Sequence, residues 1–254
     1  MRRALAAALL LCVAGCGGTT NAPPDSGRTL TVLAAASLTE PFTALAEDFE
    51  AERTTVQVRL AFDSSATLAG QVVQGAPADV LATADDRTMA EVVAAGATAV
   101  EPSLFATNTM VLVVPAGNPA GVDTFADLDR GDVAYVTCAD SAPCGALGQS
   151  LLDANGIENE PSSLEVDVKA VLNKVVLDEA DAGLVYASDA VAAGDAVETV
   201  PIPGSEARVN RYLLAPLRRS AQPDLARAWV DLVLSGPGQA VLRDAGFGDP
   251  GRAP

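Results

Sequence analysis

Serine residues stand at two junctions where a predicted strand runs into a predicted helix. Ser37 follows the strand pattern TLTVLAAA, with Glu40 at capping-box spacing and Pro41 in the first helical turn. Ser64 and Ser65 hold the same position after the strand pattern VQVRLAFD. Two explanations remain open for these hydroxyls. They are ordinary helix caps, each worth about 1 kcal/mol, or they join free helix N–H groups in binding an anion.

Three later junctions offer further hydrogen-bond donors. Pro143 and Cys144 open one predicted helix, and Val168 opens another, with Asp167 as its cap. The first amides of a helix have no partner within it, so the N–H of Val168 points outward along the axis. Tyr186 ends the strand pattern GLVY, where a packed core tyrosine is the default interpretation. If the serines bind an anion, these donors would join them around it.

Composition excludes several classes of function. The chain of 254 residues has no histidine, which removes Ser-His-Asp triads, Cys-His pairs and histidine zinc sites. It has 16 Lys and Arg against 33 Asp and Glu, a net charge of −17, and only 4% aromatic residues, so we expect no nucleic-acid partner. An exported serine hydrolase is the rival from another class, but neither Ser-x-x-Lys nor Gly-x-Ser-x-Gly occurs. We therefore expect no enzyme.

The elements that carry these residues alternate between strand and helix. From residue 28 onward the pattern reads βαβαβα, which predicts a parallel sheet covered by helices on both faces. A second α/β unit follows in series, and a C-terminal helical piece is left over. Ligands of open α/β sheets bind beyond the carboxyl ends of the strands, at helix N-termini. Two such units facing each other would form a ligand cleft between them.

The N-terminus has the pattern of an export signal. Arg2 and Arg3 precede an uncharged apolar run over residues 4–14, which is too short to span a bilayer as a mature helix. The run ends in small residues before Cys16, a pattern that looks like the lipobox of bacterial lipoproteins. We predict a signal peptide over residues 1–15, lipidation of Cys16 and a flexible tether over residues 16–28. The alternative is an ordinary secretory signal with an incidental cysteine.

Two cysteines remain in the exported chain, Cys138 and Cys144, with five residues between them. A close pair outside the cytoplasm is usually a disulfide. Two free thiols or half of a metal site are the alternatives, although no second cysteine pair and no histidine exist to complete a metal site.

Four segments in order resemble one family. They are AAASL at residues 34–38, SSATLAGQVV at 64–73, GAPADVLATAD at 75–85 and GLVYASDA at 183–190. The chain resembles the periplasmic molybdate-binding proteins of ABC importers over residues 29–250. This resemblance implies the type II periplasmic binding protein fold, an α/β fold of two lobes with the ligand cleft between them and two crossover strands. It places lobe 1 at residues 29–108 plus 215–254 and lobe 2 at 109–214, with hinge strands near 109–114 and 210–214.

The resemblance also implies the ligand set. It assigns the hydroxyl and backbone N–H of Ser37 and Ser65, the N–H of Cys144, the N–H of Val168 and the hydroxyl of Tyr186. The chain departs from the family at Cys144, where a small residue such as alanine is usual, and at Ala66, where the family has a third serine. Only the backbone N–H of Cys144 is expected to bind the ligand, so the change of side chain at this position should not remove that hydrogen bond.

The implied ligand is molybdate, and tungstate is expected to bind too. No cofactor and no direct protein–metal ligand are expected, because the molybdenum enters as an oxyanion. The implied partners are an ABC permease with its ATPase, and the membrane through the lipid anchor; we expect a monomer outside the cytoplasm. The alternative is a binding protein for another oxyanion such as sulfate. We expect a cage of donors with no acceptor carboxylate, which would reject hydrogen phosphate because its proton would find no acceptor.

Overall fold

A computed structural model describes residues 27–251 of the chain. The predicted signal peptide, Cys16 and most of the predicted tether lie outside the described residues. The strands are β1 Arg28–Ala35, β2 Val56–Asp63, β3 Val80–Thr83, β4 Ser103–Asn108, β5 Met110–Pro115, β6 Tyr135–Cys138, β7 Ser163–Glu165, β8 Ala182–Tyr186, β9 Val197–Val200 and β10 Asn210–Pro216. The helices are α1 Thr39–Glu52, α2 Ser65–Val73, α3 Asp86–Ala94, α4 Pro143–Asn155, α5 Val168–Val176, α6 Ala187–Ala193, α7 Pro223–Leu234 and α8 Gly236–Asp244.

The first lobe is a five-stranded sheet in the order β2-β1-β3-β10-β4. β1 runs parallel to both β2 and β3, as the predicted βαβαβα pattern requires, and β10 is antiparallel to β3 and β4. Helix α1 covers one face with Phe42, Leu45 and Phe49, which are buried and lie on one side of a 3.6-residue helix. Trp229 of α7 contacts both phenylalanines edge to face.

The second lobe is a second five-stranded sheet in the order β7-β6-β8-β5-β9. β6 is parallel to β7 and β8, and β5 is antiparallel to β8 and β9. Its inner strands β6 and β8 are buried along their whole length, as expected of strands covered on both faces. The prediction of two α/β units in series is confirmed. No helix within residues 27–251 is long and apolar enough to cross a bilayer.

The chain passes between the lobes twice, at Thr109 between β4 and β5 and again between β9 and β10. The expected boundary after residue 214 is wrong, because all of β10 belongs to the first lobe. Leu213 and Leu214 pair with Thr83 and Ala82 of β3. The described part of lobe 1 is therefore 27–108 plus 210–251, and the hinge strands expected near 109–114 and 210–214 are sheet strands of the second and the first lobe, β5 and β10. An apolar strand pattern does not say which sheet it joins, so the sequence could not fix this boundary.

Candidate functional site

One small cavity lies where the two lobes meet. The cavity is small, with about 10 Å³ open to the centre of a water molecule, which leaves no room for an organic solute. All five predicted ligand residues line it, and both lobes contribute. The lining residues are Ala35, Ala36, Ser37, Asp63, Ser64, Ser65, Ala84, Pro143, Cys144, Asp167, Val168 and Tyr186. The structure thus brings the predicted residues together, while their role as ligands stays a prediction.

Unpaired backbone amides surround this cavity. Helices α2, α4 and α5 begin at it, with Ser65, Cys144 and Val168 in their first turns. The N–H groups of these residues, and that of Ser37, find no acceptor within residues 27–251. Helix N-termini carry about half a positive charge each, so the cavity favours an anion although no Lys or Arg lines it.

The serine hydroxyls do not act as helix caps, so that explanation is wrong. Ser64 is the N-cap of α2 and Ser37 lies in a short 3-10 turn before α1, and neither side chain caps a helix. Ser37 Oγ instead lies 2.8 Å from Tyr212 Oη. Ser65 Oγ accepts a hydrogen bond from the Ala84 N–H at 2.9 Å. Because Ser65 is an acceptor there, its own proton remains free for a ligand.

Tyr186 supplies a third hydroxyl from the second lobe. Its side chain is buried, and the Asn210 side-chain amide donates to its oxygen. Burial, with the nearby Tyr212 and two aspartates, raises the pKa of Tyr186 well above its usual value. The hydroxyl therefore stays protonated and can donate to an anion in the cavity.

The predicted disulfide between Cys138 and Cys144 is confirmed, with an S–S distance of 2.06 Å. It ties the end of β6 to the first turn of α4, beside the cavity. Gly145 follows at the point of closest approach, where an added Cβ would collide with the Ala139 carbonyl oxygen. The bond and the glycine together hold the Cys144 amide against the strand end.

Two carboxylates line the cavity, contrary to the expectation of a site without them. Asp63 Oδ1 accepts the N–H of Ser64 at 2.6 Å, and Asp167 Oδ1 accepts the N–H of Ala170 at 2.9 Å as the cap of α5. In each carboxylate, one oxygen therefore accepts a hydrogen bond from a backbone N–H of its own segment.

Ionic contacts join the lobes next to the cavity. Lys169 of α5 bonds Glu40 of α1 at 2.8 Å and lies 3.2 Å from Asp189 of α6. Asp189 is fully buried, and this burial raises its pKa to about 6 against the opposing effect of Lys169. For Lys169, burial lowers the pKa, but Asp189 and Glu40 outweigh it and the net pKa is raised. Arg87 of the first lobe also donates to the Ser141 carbonyl of the second at 2.7 Å.

Sequence reasoning missed a layer of polar residues behind the cavity. Asn108 and Asn210 are directly opposite each other on β4 and β10, and each donates to the second lobe, to Ser188 and Tyr186. Tyr212, two residues along β10, reaches Ser37. Nothing in the sequence marks these residues, because the register of β4 and β10 decides where they lie.

Comparison with known proteins agrees with this geometry. Residues 30–248 match the family model described as bacterial extracellular solute-binding protein. The molybdate-binding protein ModA of Mycobacterium tuberculosis is 44% identical over 247 residues, which cover 97% of this chain and 95% of that protein.

Solved structures share the fold. The periplasmic molybdate-binding protein of Azotobacter vinelandii has a TM-score of 0.77 at 19% identity, over 86% of this chain and 98% of that chain. The sulfate-binding protein SubI of M. tuberculosis has a TM-score of 0.76 at 21% identity, over 87% and 86% of the two chains. Because these two neighbours are named for different oxyanions, the fold alone does not select the ligand.

Proposed function

We propose that this chain, which belongs to the family of bacterial extracellular solute-binding proteins, captures molybdate for an ABC importer. The observation that carries the proposal is the set of unpaired donors from both lobes around one small cavity. The 44% identity to mycobacterial ModA over nearly the whole chain supports molybdate in particular.

The donors match the chemistry of molybdate. Molybdate is a tetrahedral dianion that carries no proton near neutral pH, so it only accepts hydrogen bonds. In this proposal Ser37 and Ser65 each give a hydroxyl and an N–H, Cys144 and Val168 each give an N–H, and Tyr186 gives a hydroxyl. Hydrogen bonds to a charged group are worth about 1.5–3 kcal/mol each. Three hydroxyls and four amides then give about 10–20 kcal/mol gross, which leaves room for nanomolar binding, about −12 kcal/mol, after the ordering costs.

Selectivity would come from protons and from size. Hydrogen phosphate needs an acceptor for its proton, and the free hydroxyls and amides offer none. Asp63 and Asp167 also line the cavity, and each keeps a second oxygen that accepts no backbone N–H, so rejection of hydrogen phosphate requires that neither oxygen reaches the ligand. Sulfate has the charge of molybdate but shorter bonds, so donors from two lobes cannot all reach it. Tungstate is nearly the size of molybdate and should bind as well.

Capture would proceed by closure of the lobes. Ser37 and Ser65 belong to the first lobe, and Cys144, Val168 and Tyr186 belong to the second. Only a closed arrangement lets both sets touch one anion, so the ligand shifts the population toward the closed form.

Delivery would take place at a membrane. In this proposal the signal peptide over residues 1–15 is removed, a lipid on Cys16 anchors the protein outside the cytoplasm, and residues 16–28 form the tether. The closed monomer would then dock on a permease driven by an ATPase. Mass spectrometry of the N-terminus in a bacterial host tests the anchor, since lipidation adds acyl mass to Cys16.

Titration calorimetry with molybdate, tungstate, sulfate and hydrogen phosphate tests the ligand. We expect tight binding of molybdate and tungstate at one ion per chain, and binding of sulfate and phosphate weaker by at least a hundredfold. Tight sulfate binding without molybdate binding would replace the proposal with the sulfate alternative. Turnover of an ester substrate would favour the hydrolase instead.

A further inference from the structure

We infer that Asn210 is a positioning residue that turns the Tyr186 hydroxyl proton into the cavity, so that Tyr186 can only donate to the bound anion. The inference rests on the proposed function and deepens it, because it adds a residue that does not line the cavity. Its basis is the hydrogen-bond geometry around the Asn210 side-chain amide.

The orientation of that amide follows from its second neighbour. Asn210 Nδ2 donates to Tyr186 Oη and lies 3.4 Å from the Pro143 carbonyl oxygen. A carbonyl oxygen only accepts, so the amide atom that faces it must be the NH₂ group. The same NH₂ group faces the tyrosine, and the tyrosine oxygen is therefore an acceptor on that side.

The single proton of the Tyr186 hydroxyl must then point elsewhere. The neighbouring Tyr212 hydroxyl can accept this proton before a ligand binds, and Tyr186 also lines the cavity. A bound oxyanion there offers a charged acceptor, which makes the stronger hydrogen bond. With one lone pair taken by Asn210, Tyr186 presents its proton to the ligand, which strengthens the bias against protonated anions.

The contact also crosses between the lobes. Asn210 begins β10 in the first lobe, while Tyr186 ends β8 in the second. Asn210 therefore orients the Tyr186 hydroxyl proton only when the lobes are in contact. This closed form is also the one in which both lobes surround the anion.

Asn210→Asp reverses the direction of this hydrogen bond at nearly constant shape. A carboxylate at this position only accepts, so it would draw the Tyr186 proton away from the ligand. We expect the molybdate Kd of the variant to exceed that of the wild type about a hundredfold at pH about 8, measured by titration calorimetry. The introduced carboxyl can donate again once it is protonated, so the ratio of the two Kd values should fall at least about tenfold by pH about 5.5. Asp189, with a pKa of about 6, and Asp85 also act on Tyr186, so the same two proteins are compared with Asp189→Asn in both, which leaves the introduced carboxyl as the group that titrates.

The added charge by itself would also weaken binding, so the decisive measurement is a double-mutant cycle with Tyr186→Phe. If Asn210 acts through the hydroxyl, Asn210→Asp costs at least about tenfold more when residue 186 is tyrosine than when it is phenylalanine. Asn108→Asp is the comparison variant, because it adds the same charge on the opposite strand but faces Ser188 and the Tyr212 hydroxyl rather than Tyr186. Its cost should depend on residue 186 at least about tenfold less than that of Asn210→Asp.

A second variant keeps the test informative if Asn210→Asp fails to fold. Asn210→Ala removes the donor without adding charge, and should raise the Kd about three- to tenfold with tyrosine at residue 186 and leave it unchanged with phenylalanine. Equal losses in both backgrounds, for both variants, would overturn the role of Asn210 while leaving molybdate binding by the wild type intact. A wild type that binds no molybdate would overturn the proposed function itself.

Discussion

The Lys169–Glu40 pair offers a direct test of lobe closure. It joins α5 of the second lobe to α1 of the first at 2.8 Å, so it exists only when the lobes are together. Glu40→Gln removes this contact and leaves Lys169 beside Asp189 within the second lobe. We expect weaker molybdate binding, because the closed form loses an interaction that the open form never had.

The size of the effect follows from exposure. The Glu40 side chain is 48% exposed and that of Lys169 is 20% exposed. A pair that is partly open to solvent contributes about 0.5–1 kcal/mol, which corresponds to a two- to fivefold higher Kd. Glu40 also lies in the first turn of α1, where its charge stabilises the helix in the open and closed forms alike. That second contribution appears in the thermal midpoint of the unliganded protein and cancels from the Kd.

Titration calorimetry at low and high salt measures the effect, and Asp132→Asn is the control. Asp132 pairs with Arg130 at 3.0 Å within the second lobe, with side chains that are 74% and 37% exposed, so the pair is also partly open to solvent but does not cross between the lobes. Glu40→Gln should raise the Kd and lose its effect at high salt, while Asp132→Asn leaves the Kd unchanged. An unchanged Kd for Glu40→Gln, or an equal rise for both variants, would refute the role of the pair in closure.

Three further outcomes are expected. Tyr186→Phe should raise the molybdate Kd about ten- to hundredfold in calorimetry, because one hydrogen bond to a charged ligand is lost. Replacing Cys138 and Cys144 by serine should lower the free energy of unfolding by about 2 kcal/mol in denaturant titrations, because the closed loop no longer restricts the unfolded chain. Asp189, whose pKa burial raises to about 6, favours its protonated form in the fold. The stability of the wild type relative to Asp189→Asn should therefore fall by roughly 3 kcal/mol as the pH rises from about 4 to above 6, in denaturant titrations at several pH values.

Each of these expectations has a contrary result. A Tyr186→Phe protein that binds molybdate as tightly as the wild type would remove Tyr186 from the ligand set. A reduced wild type as stable as the oxidised one would contradict the entropic estimate for the disulfide. A stability difference between the wild type and Asp189→Asn that does not change with pH would show that Asp189 keeps an ordinary pKa.

Local patterns were enough to predict the elements that hold the candidate site. The βαβ rhythm, the start of α4 at Pro143 and the cap of α5 at Asp167 all depend on neighbouring residues along the chain. The disulfide was predictable for the same reason, because only six positions separate Cys138 from Cys144. The five predicted ligand residues rested on motifs within single segments, and all five line one cavity.

Other features depended on contacts between distant segments. The prediction that residues 210–214 belong to the second lobe was wrong, and so was the helix-cap explanation for the serine hydroxyls, because both features depend on contacts with distant segments. Ser37 meets Tyr212 across 175 positions of the chain, and Glu40 meets Lys169 across 129. No local pattern carries such pairings, since the register of the sheets and the meeting of the lobes create them.

The sequence by itself therefore determined which hydrogen-bond donors this protein has, and at which strand ends and helix starts they lie. Only the tertiary structure decided which way those donors face, that two aspartates share the cavity, and that Asn108, Asn210 and Tyr212 stand behind it. The physical reason is that a hydroxyl takes its direction from its partners, and these partners come from other strands and from the opposite lobe.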